Sequence, residues 1–263
     1  MRVHHFDCAR MLEIEPADGP DSPLSPAAAV SHVLLVETDS SGLVLVDTGI
    51  GHADIANPAE RLLNDWVELT QPSLDPATTA VAQITALGLS PADVRHIVLT
   101  HLHRDHAGGL SDFPDAAVHL FEAELADGGK TPAQLAHGPK WVTYNSGSGE
   151  RWKGFDRVQA LDAIAEEILL IPLHGHTPGH AGVAVRDTDR WLIHAGDAYM
   201  YHGEVDRPTP DTHPLMELVQ ASGEVDREQR LAGVATLREM TLDPQGDVEV
   251  FSAHDPWELA RYL

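Results

Sequence analysis

Ten residues constrain this chain more than any others: T-H-L-H-R-D-H-A-G-G, positions 100–109. They follow a short aliphatic run, residues 96–99, that reads as a strand. A strand alternates its side chains, so His101 and His103 can point the same way as the chain leaves the sheet. Imidazole is the commonest metal ligand near neutral pH, and carboxylate oxygen suits the same borderline metals. Asp105 and His106 follow on the turn and face another direction, so one segment could serve two adjacent ions. Gly108 and Gly109 let the backbone bend and open a helix with no side chain in the way. The positive end of such a helix suits an anion or hydroxide better than a bare cation. With 17 histidines in the chain, a histidine-rich surface loop is the bland alternative. Four donors in this spacing at a strand end are far more specific than a lone H-x-H.

The surrounding sequence predicts alternating strands and helices. Residues 33–36 and 43–46 are apolar runs separated by T-D-S-S-G and read as a hairpin ending in D-T-G (47–49). Residues 76–88 suggest a helix with Pro76 near its start and Gly88 at its end. Further strands are expected at 115–120, 168–173, 181–185, 191–194 and 247–251, and an amphipathic helix at 226–240. His4 and His5 start a strand, and His194 sits within one. The Pro/Asp/Ser-rich stretch 15–28 reads as a loop. The hairpin at 181–194 ends in A-G-D and echoes the first; two such halves suit a sandwich built by duplication, and two unrelated hairpins would look the same. With 263 residues and 43% hydrophobic composition, the expectation is a single domain, 1–263, with an irregular Gly/Pro/Ser-rich insertion at about 130–155. Trp141, Tyr144, Trp152 and Phe155 crowd into that insertion, which could serve as a lid over the site, as packing, or as the contact of a homodimer.

The formal charge of −24 disfavours phosphate backbones and anionic membranes as partners, and Lys130, Lys140 and Lys153 are the only lysines from which a basic patch could be built. Nucleic acid is therefore not expected. A single cysteine, Cys8, rules out an intrachain disulfide and reads as packed. The opening M-R-V-H-H-F-D-C lacks the apolar run of a secretory signal, and no window approaches a membrane span, so the expectation is a cytoplasmic protein.

T-H-L-H-R-D-H-A-G-G resembles the signature of the metallo-β-lactamase superfamily of metallohydrolases. Four further stretches resemble that family's remaining motifs in order: D-T-G (47–49), G-H-T-P-G-H-A-G (175–182), A-G-D-A (195–198) and F-S-A-H-D (251–255). The resemblance implies an αβ/βα sandwich, two facing mixed sheets with helices outside and the metals at one edge. It implies His101, His103 and His180 on one ion, Asp105, His106 and His254 on a second, Asp197 between them, and Asp47 orienting a ligand. His174 and His176 are taken as loop residues or as supports for the ligands.

Two divalent ions about 3.5–4 Å apart can share a water and make hydroxide available at neutral pH. The implied reaction is hydrolysis, with hydroxide attacking a carbonyl and Asp105 passing a proton to the leaving group. Zinc is the expected metal, with iron, manganese or cobalt as alternatives. Within the family, a β-lactamase is disfavoured by Asp197 and by the missing export signal. A single-iron persulfide dioxygenase would not need the second ligand set. A glyoxalase II-like thioesterase would want more basic residues than Arg227, Arg230, Arg238 and Arg261 in the C-terminal part. The resemblance is nearest to the N-acyl homoserine lactonase-like branch, with a lactone or related carboxylic ester as substrate; a thioesterase, a phosphodiesterase and a non-enzymatic metal-binding module are the alternatives. That branch places a tyrosine shortly after the aspartate, which makes Tyr199 and Tyr201 candidate catalytic residues, although Met200 holds the usual offset.

Overall fold

Aliphatic runs with side chains buried on both faces dominate the central strands, as expected for sheets covered on either side. A computed structural model describes residues 1–17, 22–126 and 131–263. Fourteen strands are present among them: β1 (Arg2–Asp7), β2 (Glu13–Ile14), β3 (Ala27–Ala28), β4 (His32–Glu37), β5 (Leu43–Val46), β6 (Val94–Val98), β7 (Ala117–Phe121), β8 (Lys140–Tyr144), β9 (Glu150–Trp152), β10 (Phe155–Ala160), β11 (Ile168–Pro172), β12 (Ala181–Asp187), β13 (Arg190–His194) and β14 (Val248–Phe251). They form two six-stranded mixed sheets, ordered β1-β4-β5-β6-β7-β8 and β14-β13-β12-β11-β10-β9, and a small β2-β3 ribbon.

Alternation along the strands sorts the side chains into layers. Leu34, Val36, Val44, Val46 and Val98 of the first sheet face Leu170, Val183, Val185, Leu192 and Phe251 of the second. Their neighbours Val33, Leu35, Leu45 and Ile97 point outward and pack with Ala80 and Ile84 of the helix Ala80–Ala86. On the far side, Ile171, Ala184, Ile193 and Val250 pack with Val234 and Leu237 of the helix Arg227–Thr241. This is the αβ/βα sandwich the motifs implied. The 4–5 and 12–13 hairpins are both antiparallel and each is followed by a parallel neighbour, β6 and β14, so the sequence echo has a structural counterpart.

Local signals account for several boundaries. Gly42 turns the first hairpin at φ +80, and Thr79 caps the helix Ala80–Ala86 by accepting from the Ala82 N–H. Asp226 does the same for Arg227–Thr241 through the Gln229 N–H. Cys8 is buried and packed against Gly49, where any side chain would collide with its Cβ.

Residues 140–160 correct the expectation of an irregular insertion. They form β8 at the edge of the first sheet, β9 at the edge of the second and β10 beside β9, turned by Gly149 and Gly154 at φ +124 and +91. Edge strands have one solvated face, so their sequence carries polar residues that mimic a loop. Residue 130 and residues 18–21 of the 15–28 stretch lie outside the described residues.

Candidate metal centre

Each sheet delivers donors at the same edge. Asp47 follows β5, residues 101–106 follow β6, residues 174–180 join β11 to β12, and Asp197 and His254 follow β13 and β14. The donors converge into two groups, His101, His103, His176 and Asp197 on one side and Asp105, His106 and His254 on the other, the ligand atoms of each group lying within 4.8 Å of one another. Asp197 stands between the groups. Its Oδ2 is 3.2 Å from His176 Nε2 and 3.7 Å from His101 Nε2, while its Oδ1 is 3.2 Å from both His106 Nε2 and His254 Nε2.

The donor set suits divalent cations. Neutral imidazoles and carboxylates are the N/O ligands such ions take. His101 Nε2, His106 Nε2 and Asp197 Oδ1 are buried without a hydrogen-bond partner, an arrangement that is costly unless something else satisfies them. Burial drives the His101 and His176 pKa values well below 6.5, leaving lone pairs available. Burial would raise Asp197, but the imidazoles of His254, His106, His101 and His176 hold its carboxyl well below the usual range.

Supporting hydrogen bonds fix the geometry. Asp47 sits at φ +59, a left-handed conformation uncommon for a residue with a side chain. Its carboxylate accepts from the Thr100 N–H and hydroxyl, both at 2.7 Å, and lies 2.8 Å from His106 Nδ1. Those bonds set the ring so that Nε2 faces Asp197. Gly108 and Gly109 act by close packing: a side chain on either would meet Asp54 or Thr48. One α-helical turn, Arg104–Ala107, precedes the glycines, and a short 3-10 helix, Gly108–Asp112, opens at them.

The expectation for His180 is corrected. Its Nδ1 lies 2.8 Å from the Leu173 carbonyl and its Nε2 accepts the Asp197 N–H at 2.9 Å, so backbone occupies both ring nitrogens. His176, four residues earlier, enters the cluster in its place, 3.0 Å from His103 Nδ1. His174, as expected, stays out of the cluster, its Nδ1 near the His180 carbonyl. A second correction concerns the tyrosines. Tyr199 is fully buried and donates to the Glu258 carboxylate, and Tyr201 packs among His202, His213 and Trp257. Neither lines the cavity above the donors; Met200 does.

That cavity encloses about 400 Å³. His103, Asp105, His176, Asp197 and His254 contribute to its floor, and Met11, Ile14, Trp66, Leu69, Met216 and Val219 to its walls. None of the four aromatics of residues 141–155 reaches it. Trp152 stacks edge-on against Trp191, Tyr144 bonds His119, and Phe155 and Trp141 join the layers outside the sheets.

Sequence reading missed Glu124. This buried carboxylate accepts from the Leu102 N–H, the Thr177 hydroxyl and the Gly179 N–H, tying the two histidine loops together. Gln220 holds the Asp197 carbonyl from the helix Pro214–Gly223. Neither has a local signal; the packing of Gly179 against Glu124, where a Cβ would sit 2.3 Å from its backbone nitrogen, gives the only hint.

The profile of the metallo-beta-lactamase superfamily matches residues 28–226. The chain belongs to that superfamily. It is 38% identical over 273 residues to a protein of Mycobacterium tuberculosis named "probable metallo-hydrolase", covering 99% of this chain and 83% of that protein. With the N-acyl homoserine lactonase AttM of Agrobacterium fabrum it shares 29% identity over 239 residues, 86% of this chain and 82% of the other. Among solved structures, an N-acyl homoserine lactone hydrolase with N-hexanoyl-L-homoserine at its catalytic metal centre superposes with a TM-score of 0.70 at 20% identity, covering 98% and 95% of the two chains. The fold is thus that of the lactonases, and the chain is a hydrolase with a metal-binding site. No helix among the described residues is long and apolar enough to cross a membrane.

Proposed function

We propose that this metallohydrolase binds two divalent ions, zinc foremost, and hydrolyses a lactone or related carboxylic ester with a moderately apolar tail. The observation that carries the reading is the cavity, whose floor exposes both donor groups and whose walls are largely apolar. His101, His103 and His176 would hold one ion and Asp105, His106 and His254 the other, with Asp197 shared. When bound, such a pair supplies hydroxide at neutral pH and draws charge from a carbonyl oxygen. Asp105, which lines the cavity, would carry a proton to the leaving oxygen. Met11, Ile14, Met216 and Val219 offer the tail a surface from which water is displaced.

The relatives named N-acyl homoserine lactonases support a lactone. A glutathione thioester fits less well, because the C-terminal arginines are engaged: Arg227 with Glu217 and Glu224, and buried Arg230 with Glu224. The test is metal analysis of protein prepared without chelator, together with a panel of acyl homoserine lactones, simple lactones, a glutathione thioester, a cephalosporin and an aryl phosphodiester. Two equivalents of metal and fastest turnover of a lactone or ester are expected. A single ion, or a thioester or phosphodiester turned over far faster than every lactone, would refute the reading.

A further inference from the structure

Arg104 stands between His103 and Asp105, and all three line the cavity. Its Nε is buried with no hydrogen-bond partner, and no carboxylate among the described residues pairs with its guanidinium. In a chain with 41 acidic residues this is unusual. Other partly or fully buried arginines are engaged: Arg61 lies 2.7 Å from Asp54, and Arg230 lies 2.6 Å from Glu224. The charge of Arg104 has one neighbour of note, the Trp66 ring, whose centroid is 5.8 Å from the guanidinium carbon. Stacking against an aromatic face orients a guanidinium and leaves its N–H edge open. A half-buried cation with unused donors, held over an otherwise apolar wall, is costly until an acceptor meets it.

We propose that Arg104 is a specificity residue that takes a carboxylate carried by the substrate, so that the preferred substrate is an ester or lactone with a free carboxylate beside its apolar portion. The proposal rests on the ester-hydrolase reading of this cavity and adds a charged group to the substrate's apolar portion. A carboxylate is the planar anion that matches the guanidinium fork with two parallel hydrogen bonds. Lysine would supply charge without that fork. The apolar neighbours strengthen the pairing by excluding water, and they penalise an analogue that leaves the donors unmet.

The test compares a glutarate monoester with its carboxamide analogue, in wild-type, R104Q and R104K proteins loaded with zinc. Wild-type protein is expected to favour the carboxylate in kcat/KM by about tenfold or more. In R104Q the ratio should fall toward one, with R104K between. A wild-type preference for the carboxamide, or a ratio unchanged in R104Q, would overturn the assignment. A phosphate-bearing analogue preferred over the carboxylate would overturn it as well. If no ester is turned over, the ester-hydrolase reading fails, and a calorimetric titration still decides the role of Arg104. Hexanoate should bind R104Q about tenfold more weakly than wild type, while hexanamide shifts by less than about threefold. Equal hexanoate affinity in the two proteins would sink the proposal.

Discussion

Replacing Asp47 by asparagine isolates how the cluster is tuned from a distance. Asparagine tolerates the left-handed conformation that Asp47 adopts at φ +59, so the backbone has little reason to move. Two of the three contacts run to Oδ2, from the Thr100 hydroxyl at 2.7 Å and His106 Nδ1 at 2.8 Å. An amide nitrogen there confronts the His106 Nδ1–H with a second donor. Relief requires the imidazole proton to move to Nε2, the atom that faces Asp197 and is otherwise without a partner. A protonated Nε2 has no lone pair for a cation. Loss of such a supporting partner typically costs about 10- to 100-fold in metal affinity. That is about 1.4–2.7 kcal/mol, the size of one hydrogen bond to a charged group. Competition against a chromophoric chelator resolves the two binding steps, with thermal denaturation as a check on folding. One step should weaken by that factor while the other moves by less than about threefold. Two unchanged steps in folded D47N protein would refute the tautomer argument.

The histidines of the G-H-T-P-G-H stretch should separate by phenotype: His176→Ala should lose metal and nearly all turnover with a small change in Tm. His180→Ala should lower stability by about 1–3 kcal/mol, since it strands the Leu173 carbonyl and the Asp197 N–H, and a reversed pattern in calorimetry and metal analysis would contradict the geometry. Asp105→Asn should leave the chain folded by circular dichroism and reduce kcat by about 10²-fold or more, with undiminished kcat counting against its proton-transfer role. Val219→Trp, which narrows the cavity, should shift preference toward short-tailed substrates, whereas Trp152→Ala should leave chain-length preference untouched because Trp152 packs on Trp191; the opposite outcome in a chain-length series would restore the lid. Burial lowers the pKa of His5 to about 3 and of His119 to about 4, from 6.5. The folded state therefore binds fewer protons than the unfolded one, so this stability is present above pH 6.5 and is lost as pH falls toward 4. Tm should drop between pH 7 and 5, less steeply in His119→Asn, and a Tm flat or rising on acidification would contradict the sign.

The parts of this molecule that were legible in sequence obey short-range rules. Leu43–Val46, Ile168–Pro172 and Arg190–His194 are apolar runs long enough for a covered strand and closed by turn residues, and the donors sit within a few positions of a strand end. His176 and His180 show where such rules stop. Both belong to one five-residue stretch, and composition cannot rank them. The choice is made by Gly175, at φ +127, whose bare Cα packs against the backbone of Arg230 and turns the loop so that His176 faces Asp197 while His180 meets backbone on both sides. The aromatics of residues 141–155 misled for a related reason. Clustering in sequence suggested a common surface, but β8 belongs to one sheet and β9 and β10 to the other, which carries those rings apart. Conversely, the cavity wall is assembled from residues 11–14, 66–70 and 215–219, three segments far apart in the chain and free of any motif. Each is an ordinary amphipathic piece whose apolar side would be expected to face the core. Only when β2, the helix Asn64–Thr70 and the helix Pro214–Gly223 are brought to the same rim does that side face a void above the metal donors. Metal chemistry is written in contiguous motifs because ligands must meet within a few ångströms at fixed angles. Substrate shape is distributed, because any apolar side chain of suitable size can supply a wall.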